Sequence, residues 1–337
     1  MYGEFELVEK IKARFARPDG VTLGIGDDAA VLDPGRFDLV TTDTMVEGVH
    51  FDRRWSSGFD IGWKLVAVNL SDVAAMGGGP GIVFLNLTLP RDTEAAFADA
   101  LIDGIQAACD ELVPESFDVG VAGGDVTSTD GPLVLTLTMM GECSPAGPVL
   151  RSGAVPGDRV AVLGHLGMAA AGLDLLRGAF DGADPADYPA LVEAHTRPIA
   201  RVHEGAMLGL YGVPSALMDI SDGLAQDLGK ILAASGAGAW VEVHSLPRHP
   251  ELARLEREHG ADALSYILSG GDDYELVITV PPARMPKLWE LARRYEWDVY
   301  DLGEVRSAEE GLRLIGPDGS PLELDTRGWD HFAGDAE

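Results

Sequence analysis

Apolar residues return every three to four positions through residues 4–16, and Phe5, Val8, Ile11 and Phe15 share one side of a helix. An amphipathic helix is therefore predicted at the start of the chain. β-Branched and apolar runs at 29–32 and 39–45 predict strands. Helical spacing resumes at 61–76 and stops at Gly77-Gly78-Gly79-Pro80. A strand at 81–90, a helix at 93–112 and strands at 119–122 and 133–140 complete the first half. The pattern then breaks at a Gly/Pro-rich turn, Arg151-Ser152-Gly153-Ala154-Val155-Pro156-Gly157-Asp158, which sets a boundary between domains 1–150 and 151–337. Beyond it come a strand at 159–164, helices at 168–177, 188–196 and 199–210, and a strand leading into Asp219. A helix at 224–234, strands at 239–243, 274–280, 299–305 and 311–315, and a helix at 283–295 follow. The pattern is α+β: two domains of mixed sheets with helices packed on one face.

Composition agrees with this picture and removes several classes of function. The chain has 337 residues, 46% of them hydrophobic and 24% charged, enough for a core in each half. No run approaches the roughly 18–20 continuous apolar residues of a membrane span. Met1-Tyr2-Gly3-Glu4-Phe5 lacks the basic and apolar blocks of a secretory signal, so a cytoplasmic protein is expected. Cys109 and Cys143 cannot build a disulfide framework and read as reduced thiols. A formal charge of −30 argues against a nucleic-acid surface. It also means that any phosphate ligand needs its repulsion cancelled locally, for which bound metal is the natural means. Much of the acidity is simply solvated surface.

Solvation does not account for acids placed beside glycine, serine or threonine within apolar stretches. They recur in six segments: Gly26-Asp27-Asp28, Thr41-Thr42-Asp43, Ser71-Asp72, Gly123-Gly124-Asp125, Asp219-Ile220-Ser221-Asp222-Gly223 and Gly270-Gly271-Asp272-Asp273. Carboxylates and hydroxyls on small-residue turns suit hard divalent cations such as Mg²⁺. Each segment also has a plain structural reading. Asp28 and its neighbours fit an exposed turn, Thr41 and Thr42 a polar strand end, Asp72 an exposed helix face, and Ser221 or Asp222 a helix cap. Gly24-Ile25-Gly26-Asp27-Asp28-Ala29 matches a dinucleotide fingerprint only formally, because its variable acids repel a pyrophosphate and a strand follows. Gly223–Ile231 resembles a phosphate loop but has one residue too many between its glycines, and Ile where Ser or Thr is required. His50 has no second histidine at zinc-ligand spacing. No G-x-S-x-G elbow supports a serine nucleophile. Arg151 is one of few cations in its region and either forks onto a phosphate or serves as a linker residue.

In order, Gly24–Ala30, Thr42–Phe51, Asn69–Gly77, Gly123-Gly124-Asp125, Arg151–Ala154, Asp219–Leu224 and Ser269–Leu276 form a specific series. The chain resembles the thiamine-monophosphate kinases of the aminoimidazole ribonucleotide synthetase-like superfamily, from Gly3-Glu4-Phe5 to Gly328-Trp329-Asp330-His331-Phe332. The resemblance implies ATP-dependent phosphorylation of thiamine monophosphate to thiamine diphosphate, by in-line transfer assisted by several Mg²⁺ ions. It also implies a homodimer, with an ATP/Mg-binding, dimerising N-terminal domain and a C-terminal domain that completes the site. Asp28, Thr41, Thr42, Asp43, Asp72, Asp125, Asp219 and Asp222 match the metal ligands, with Asp43, Asp72, Asp125 and Asp219 central to catalysis. Gly124, Asp125, Arg151 and Ser221 match nucleotide contacts, and His50, Asp272 and Trp329 match substrate contacts. Two departures stand out: Asp272 replaces the Glu of many members, and 107–112 lacks the Tyr that stacks on nucleotide in some. Other ATP-using members of the superfamily act on purine intermediates, selenide or carbamoyl groups; selenide chemistry calls for an early reactive Cys, and none precedes Cys109. A non-catalytic metal- or nucleotide-binding regulator is the remaining alternative, which retention of every acidic motif disfavours.

Overall fold

The computed structural model describes residues 10–15, 18–23, 31–32 and 37–322. The chain divides into two compact units. The first draws on Met1–Pro148 and Thr196–Met207, the second on Val149–His195 and Leu208–Glu337. The stretch at 196–207 thus leaves the second half of the sequence to pack within the first unit.

Residues 10–14 are helical, and β1 (Val21–Leu23) pairs antiparallel with β2 (Val31–Leu32). The main sheet of this unit contains β3 (Leu39–Val46), β4 (Gly79–Pro90), β5 (Gly120–Thr129) and β6 (Val134–Glu142), in the order β3-β6-β4-β5. The β4–β5 pair is parallel and the others are antiparallel. Strict alternation in β6 sends Leu135, Leu137 and Met139 into the core and Thr136 and Thr138 to the other face. Helices α1 (Gly58–Ala75) and α2 (Ala95–Leu112) follow, with α1 covering the apolar face of the sheet and α2 packed on α1. Ser57 and Asp60 cap α1 reciprocally. Small residues bring the helices close: a Cβ at Gly62 would lie 2.1 Å from the Leu101 carbonyl oxygen, and one at Gly104 2.0 Å from that of Phe59. The returning segment is held by the buried Trp63 indole, whose Nε1–H donates to the Pro198 carbonyl at 2.8 Å.

Two of the small-residue "turns" are not turns. Thr41-Thr42-Asp43 lies inside β3, and the strand expected to end at 122 continues through Gly123-Gly124-Asp125 to Thr129. Glycine makes that continuation possible. Gly124 has φ +150°, and a Cβ there would sit within 1.8 Å of the Leu85 carbonyl oxygen on β4.

The second unit is built on seven strands in the order β13-β12-β9-β11-β7-β10-β8. These are β7 (Arg159–Leu163), β8 (Ala216–Ile220), β9 (Ala237–Glu242), β10 (Glu275–Val280), β11 (Val299–Ser307), β12 (Leu312–Ile315) and β13 (Pro321–Leu322). Among the described residues of this sheet only β9–β12 is a parallel pair. Strand β10, flanked by β7 and β8, is buried throughout. Its helices are α3 (Met168–Arg177), α4 (Pro189–Thr196, ending at the junction), α6 (Leu224–Ser235), α7 (Pro250–His259), α8 (Ala263–Ser269) and α9 (Met285–Tyr295). Between α4 and α6 the chain forms α5 (Val202–Leu210), most of it in the first unit. Leu228, Ile231, Leu252, Leu255 and Ile267 from these helices join Val160, Val162 and Val277 in one core. Sequence periodicity does not reveal α7 and α8. Half the residues of the first are charged and it buries only Leu252 and Leu255; the second is a single short helix of seven residues. Pro250 at the start of α7 and Gly260 as its left-handed cap were the available signals.

Candidate active site

In the first unit, β3 places Thr41 and Asp43 on its inner face, and the last turn of α1 brings Asp72 to them. The Thr41 hydroxyl donates to Asp72 Oδ2. Burial, then the charge and hydrogen bond of Asp72, push the Asp43 carboxyl up to about 7. Without a cation, Asp43 is therefore held partly protonated at neutral pH. The donors are hard oxygens: two carboxylates and one hydroxyl. That set fits Mg²⁺, which binds a few protein oxygens and keeps several waters. Among the described residues, no three His, Cys, Asp or Glu side chains come together as a metal cage. Asp28 lies outside the described residues.

The next residue on β3 faces away. The Thr42 hydroxyl meets Thr138 Oγ1 at 3.0 Å and the Leu137 carbonyl at 3.2 Å. Asp125 is exposed and stands in register with Asn86, which aligns with Thr136 and, through it, Thr44. Strand alternation puts that row on the face opposite Asp43. Gly124 occupies the intervening row, against Leu85.

His50 follows β3 in a tight loop. Its Nδ1 accepts the Val46 N–H at 3.1 Å, and Lys64 Nζ donates to the His50 carbonyl at 3.2 Å. A ring nitrogen that accepts an N–H carries no proton, so the neutral ring holds its proton on Nε2 and presents a donor there. Lys64 is almost fully buried in α1 and was not singled out by the sequence.

In the second unit the Asp219–Asp222 segment runs off the end of β8. Asp219 is buried and pairs in register with Leu276 of β10. The turn that follows is fixed by Asp227, which is fully buried in the first turn of α6. Its Oδ2 accepts the N–H groups of Ser221 and Asp222, each at 2.9 Å. Lys230 Nζ lies 2.8 Å from Asp227 Oδ1 and 2.6 Å from Asp222 Oδ2, and Gln226 also donates to Asp222 Oδ2 at 2.9 Å. Burial raises the Asp227 pKa, with Lys230 opposing it. Burial works against the Lys230 charge, yet the two acids outweigh it and raise its pKa. The segment that mimics a phosphate loop is therefore a capped helix whose lysine grips the turn. Arg151 is exposed, and Ser235 Oγ holds the adjoining Gly153 and Ala154 N–H groups at 3.2 Å.

The Gly270–Tyr274 loop lies against the same turn. The Asp272 N–H donates to the Ser221 carbonyl at 2.9 Å and the Tyr274 N–H to that of Ile220 at 2.8 Å. Asp272 and Tyr274 both adopt left-handed backbone, at φ 67° and 54°. Such geometry in residues other than Gly is uncommon and clusters at functional loops. The Tyr274 hydroxyl donates to Asp272 Oδ1 at 2.9 Å. Asp273 points the other way and caps α3, accepting from the Gly167 N–H at 2.7 Å and the Ala169 N–H at 3.2 Å. Burial drives its pKa well up, while those two N–H groups oppose the shift. The paired acids of this motif thus have different jobs. Trp329 lies outside the described residues.

Two family models match the chain: the N-terminal domain of AIR synthase related proteins over residues 26–143, and the C-terminal domain over 155–314. The thiamine-monophosphate kinase of Salmonella typhimurium is 39% identical over 339 aligned positions, covering 98% of each chain. The chain belongs to the thiamine-monophosphate kinase family. Solved structures of the family agree with this fold. The enzyme from Stenotrophomonas maltophilia K279a superposes with a TM-score of 0.80 at 38% identity, covering 94% of this chain and 96% of that one. AaThiL complexed with AMPPCP and TMP gives 0.74 at 30% identity, covering 98% and 97%. Membership accounts for the α+β architecture and for the order of the acidic motifs. Asp227, Lys230 and Asp273 are the residues that motif reading left without a role. A helix-start acid spaced five residues after Asp222 was the signal for the first of them.

Proposed function

We propose that this chain transfers a phosphoryl group from ATP to thiamine monophosphate, releasing ADP and thiamine diphosphate. The observation that carries the reading is the family match over 98% of the chain with the acidic pair Asp43–Asp72 assembled beside Thr41. The AMPPCP and TMP bound by AaThiL stand for the two substrates. Asp43, Asp72 and Thr41 would hold Mg²⁺ in the first unit, with Asp28 as a further ligand; Asp125, on the opposite face of the sheet, would have to bind a separate ion. Within the second unit, Asp219 and Asp222 would offer their carboxylates to Mg²⁺. Bound Mg²⁺ supplies charge neutralisation for the approaching phosphates. The protein positions the reactants. Ser221 and Arg151 contact the nucleotide, Gly124 lets a phosphate approach the backbone, and the His50 Nε2–H donates to the acceptor substrate. Asp272, with Trp329, receives the cationic thiazolium. The acceptor oxygen is already anionic, so no strong general base is needed.

A homodimer is part of the proposal. The outer face of the first sheet carries Thr42, Thr44, Thr136 and Thr138 with the exposed Val40. Such a weakly polar face with paired hydroxyls suits a second copy of the same sheet. Among the described residues no helix is long and apolar enough to cross a membrane. The direct test is incubation with ATP, Mg²⁺ and thiamine monophosphate, assaying thiamine diphosphate. ATP binding without product, or turnover of a different acceptor alone, overturns the reading.

A further inference from the structure

We infer that Lys230 is the resident cation that lets the acidic Ser221–Asp222 turn face a polyphosphate, and that Asp227 fixes it there. This rests on the reading of Ser221 as a nucleotide contact. Lys230 bridges a fixed point and a movable one. Asp227 is fully buried and already holds the turn through two backbone N–H groups. Its remaining oxygen binds Lys230 Nζ at 2.8 Å. A carboxylate with no water around it keeps its counter-ion, because losing it leaves a buried charge unpaired. Asp222 is different. Its side chain is 27% exposed and both described side-chain donors, Lys230 and Gln226, fall on Oδ2. Asp222 can therefore turn toward another cation while Lys230 stays anchored on Asp227. The positive charge remains next to Ser221 whether or not metal has arrived. In a chain of net charge −30, an anionic ligand gains from a cation built into the turn.

The experiment measures AMPPCP binding by calorimetry, in EDTA and in saturating Mg²⁺. Lys230→Gln should weaken binding about ten-fold in EDTA, and by about two-fold once metal supplies the charge. Lys230→Arg should restore wild-type affinity, and the KM for thiamine monophosphate should not move in either variant. Lys230→Gln leaves Asp227 charged and buried and can fail to fold. The pair Lys230→Met with Asp227→Asn removes both charges, while the Asn oxygen still accepts the turn N–H groups, and should show the same loss in EDTA. Ser221→Ala separates the two readings. If it weakens binding while folded Lys230 variants do not, Lys230 has no such role. If none of these variants changes AMPPCP affinity, the nucleotide does not sit at this turn.

Discussion

One substitution, made at two helical glycines, should have opposite effects. At Gly62 in α1 an added Cβ would lie 2.1 Å from the Leu101 carbonyl oxygen and 3.0 Å from the Ile105 nitrogen, both backbone atoms of α2. Neither can rotate away, so the helices must separate by roughly 1 Å to reach ordinary contact, and overpacking of this kind costs about 2–3 kcal/mol. At Gly229 in α6 nothing lies within 4 Å of the added atom. There Ala only removes backbone freedom from the unfolded chain, a gain of about 0.5–1 kcal/mol. For a unit of this size each kcal/mol moves Tm by about 2–4 °C. Gly62→Ala should therefore melt about 4–12 °C below wild type and Gly229→Ala about 1–4 °C above it by scanning calorimetry. A Gly62→Ala protein as stable as wild type would refute the packing argument. So would a Gly229→Ala protein less stable than Gly62→Ala.

Three further outcomes are expected. In metal-free protein Asp43 titrates near 7, well above an unfolded carboxyl. Its folded form therefore holds a proton that the unfolded chain has released, and stability should fall by at most about 4 kcal/mol as pH rises from about 4 to about 7. Urea unfolding in EDTA at pH 5 and pH 8 measures this, and Asp43→Asn should flatten the slope; an identical slope in the variant refutes it. Asp273→Ala leaves two N–H groups at the start of α3 without their acceptor and should lower stability by about 2–4 kcal/mol, read by urea unfolding, with an unchanged midpoint as the contrary result. Val40→Asp, on the outer face of the first sheet, should convert a dimer to monomers in light scattering; a variant that stays dimeric places the interface elsewhere.

Periodicity and punctuation located most elements. Residues 168–177 and 39–45 read correctly because amphipathic and alternating patterns are local, set by which side of an element meets the core. The ordered acidic motifs were enough to place the chain in its family. Sequence could not say that Gly123-Gly124-Asp125 continues a strand, because that depends on Leu85 of another strand approaching where a side chain would be. It could not pair Asp43 with Asp72, or say that the face of Asp43 rather than that of Thr42 meets α1, until register with β6 and the docking of α1 were known.

The sequence by itself determined most of the elements, the family and the residues able to carry oxygen-ligand chemistry, because each is written in local spacing or in motif order. The tertiary structure alone decided which acid does what. Burial raises Asp43 beside Asp72, commits Asp273 to capping a helix, and ties Asp227 to Lys230 beneath the turn. A carboxylate's role follows from its solvent exposure and the charge that faces it. For Asp43 and Asp273 both are set by residues distant in the chain.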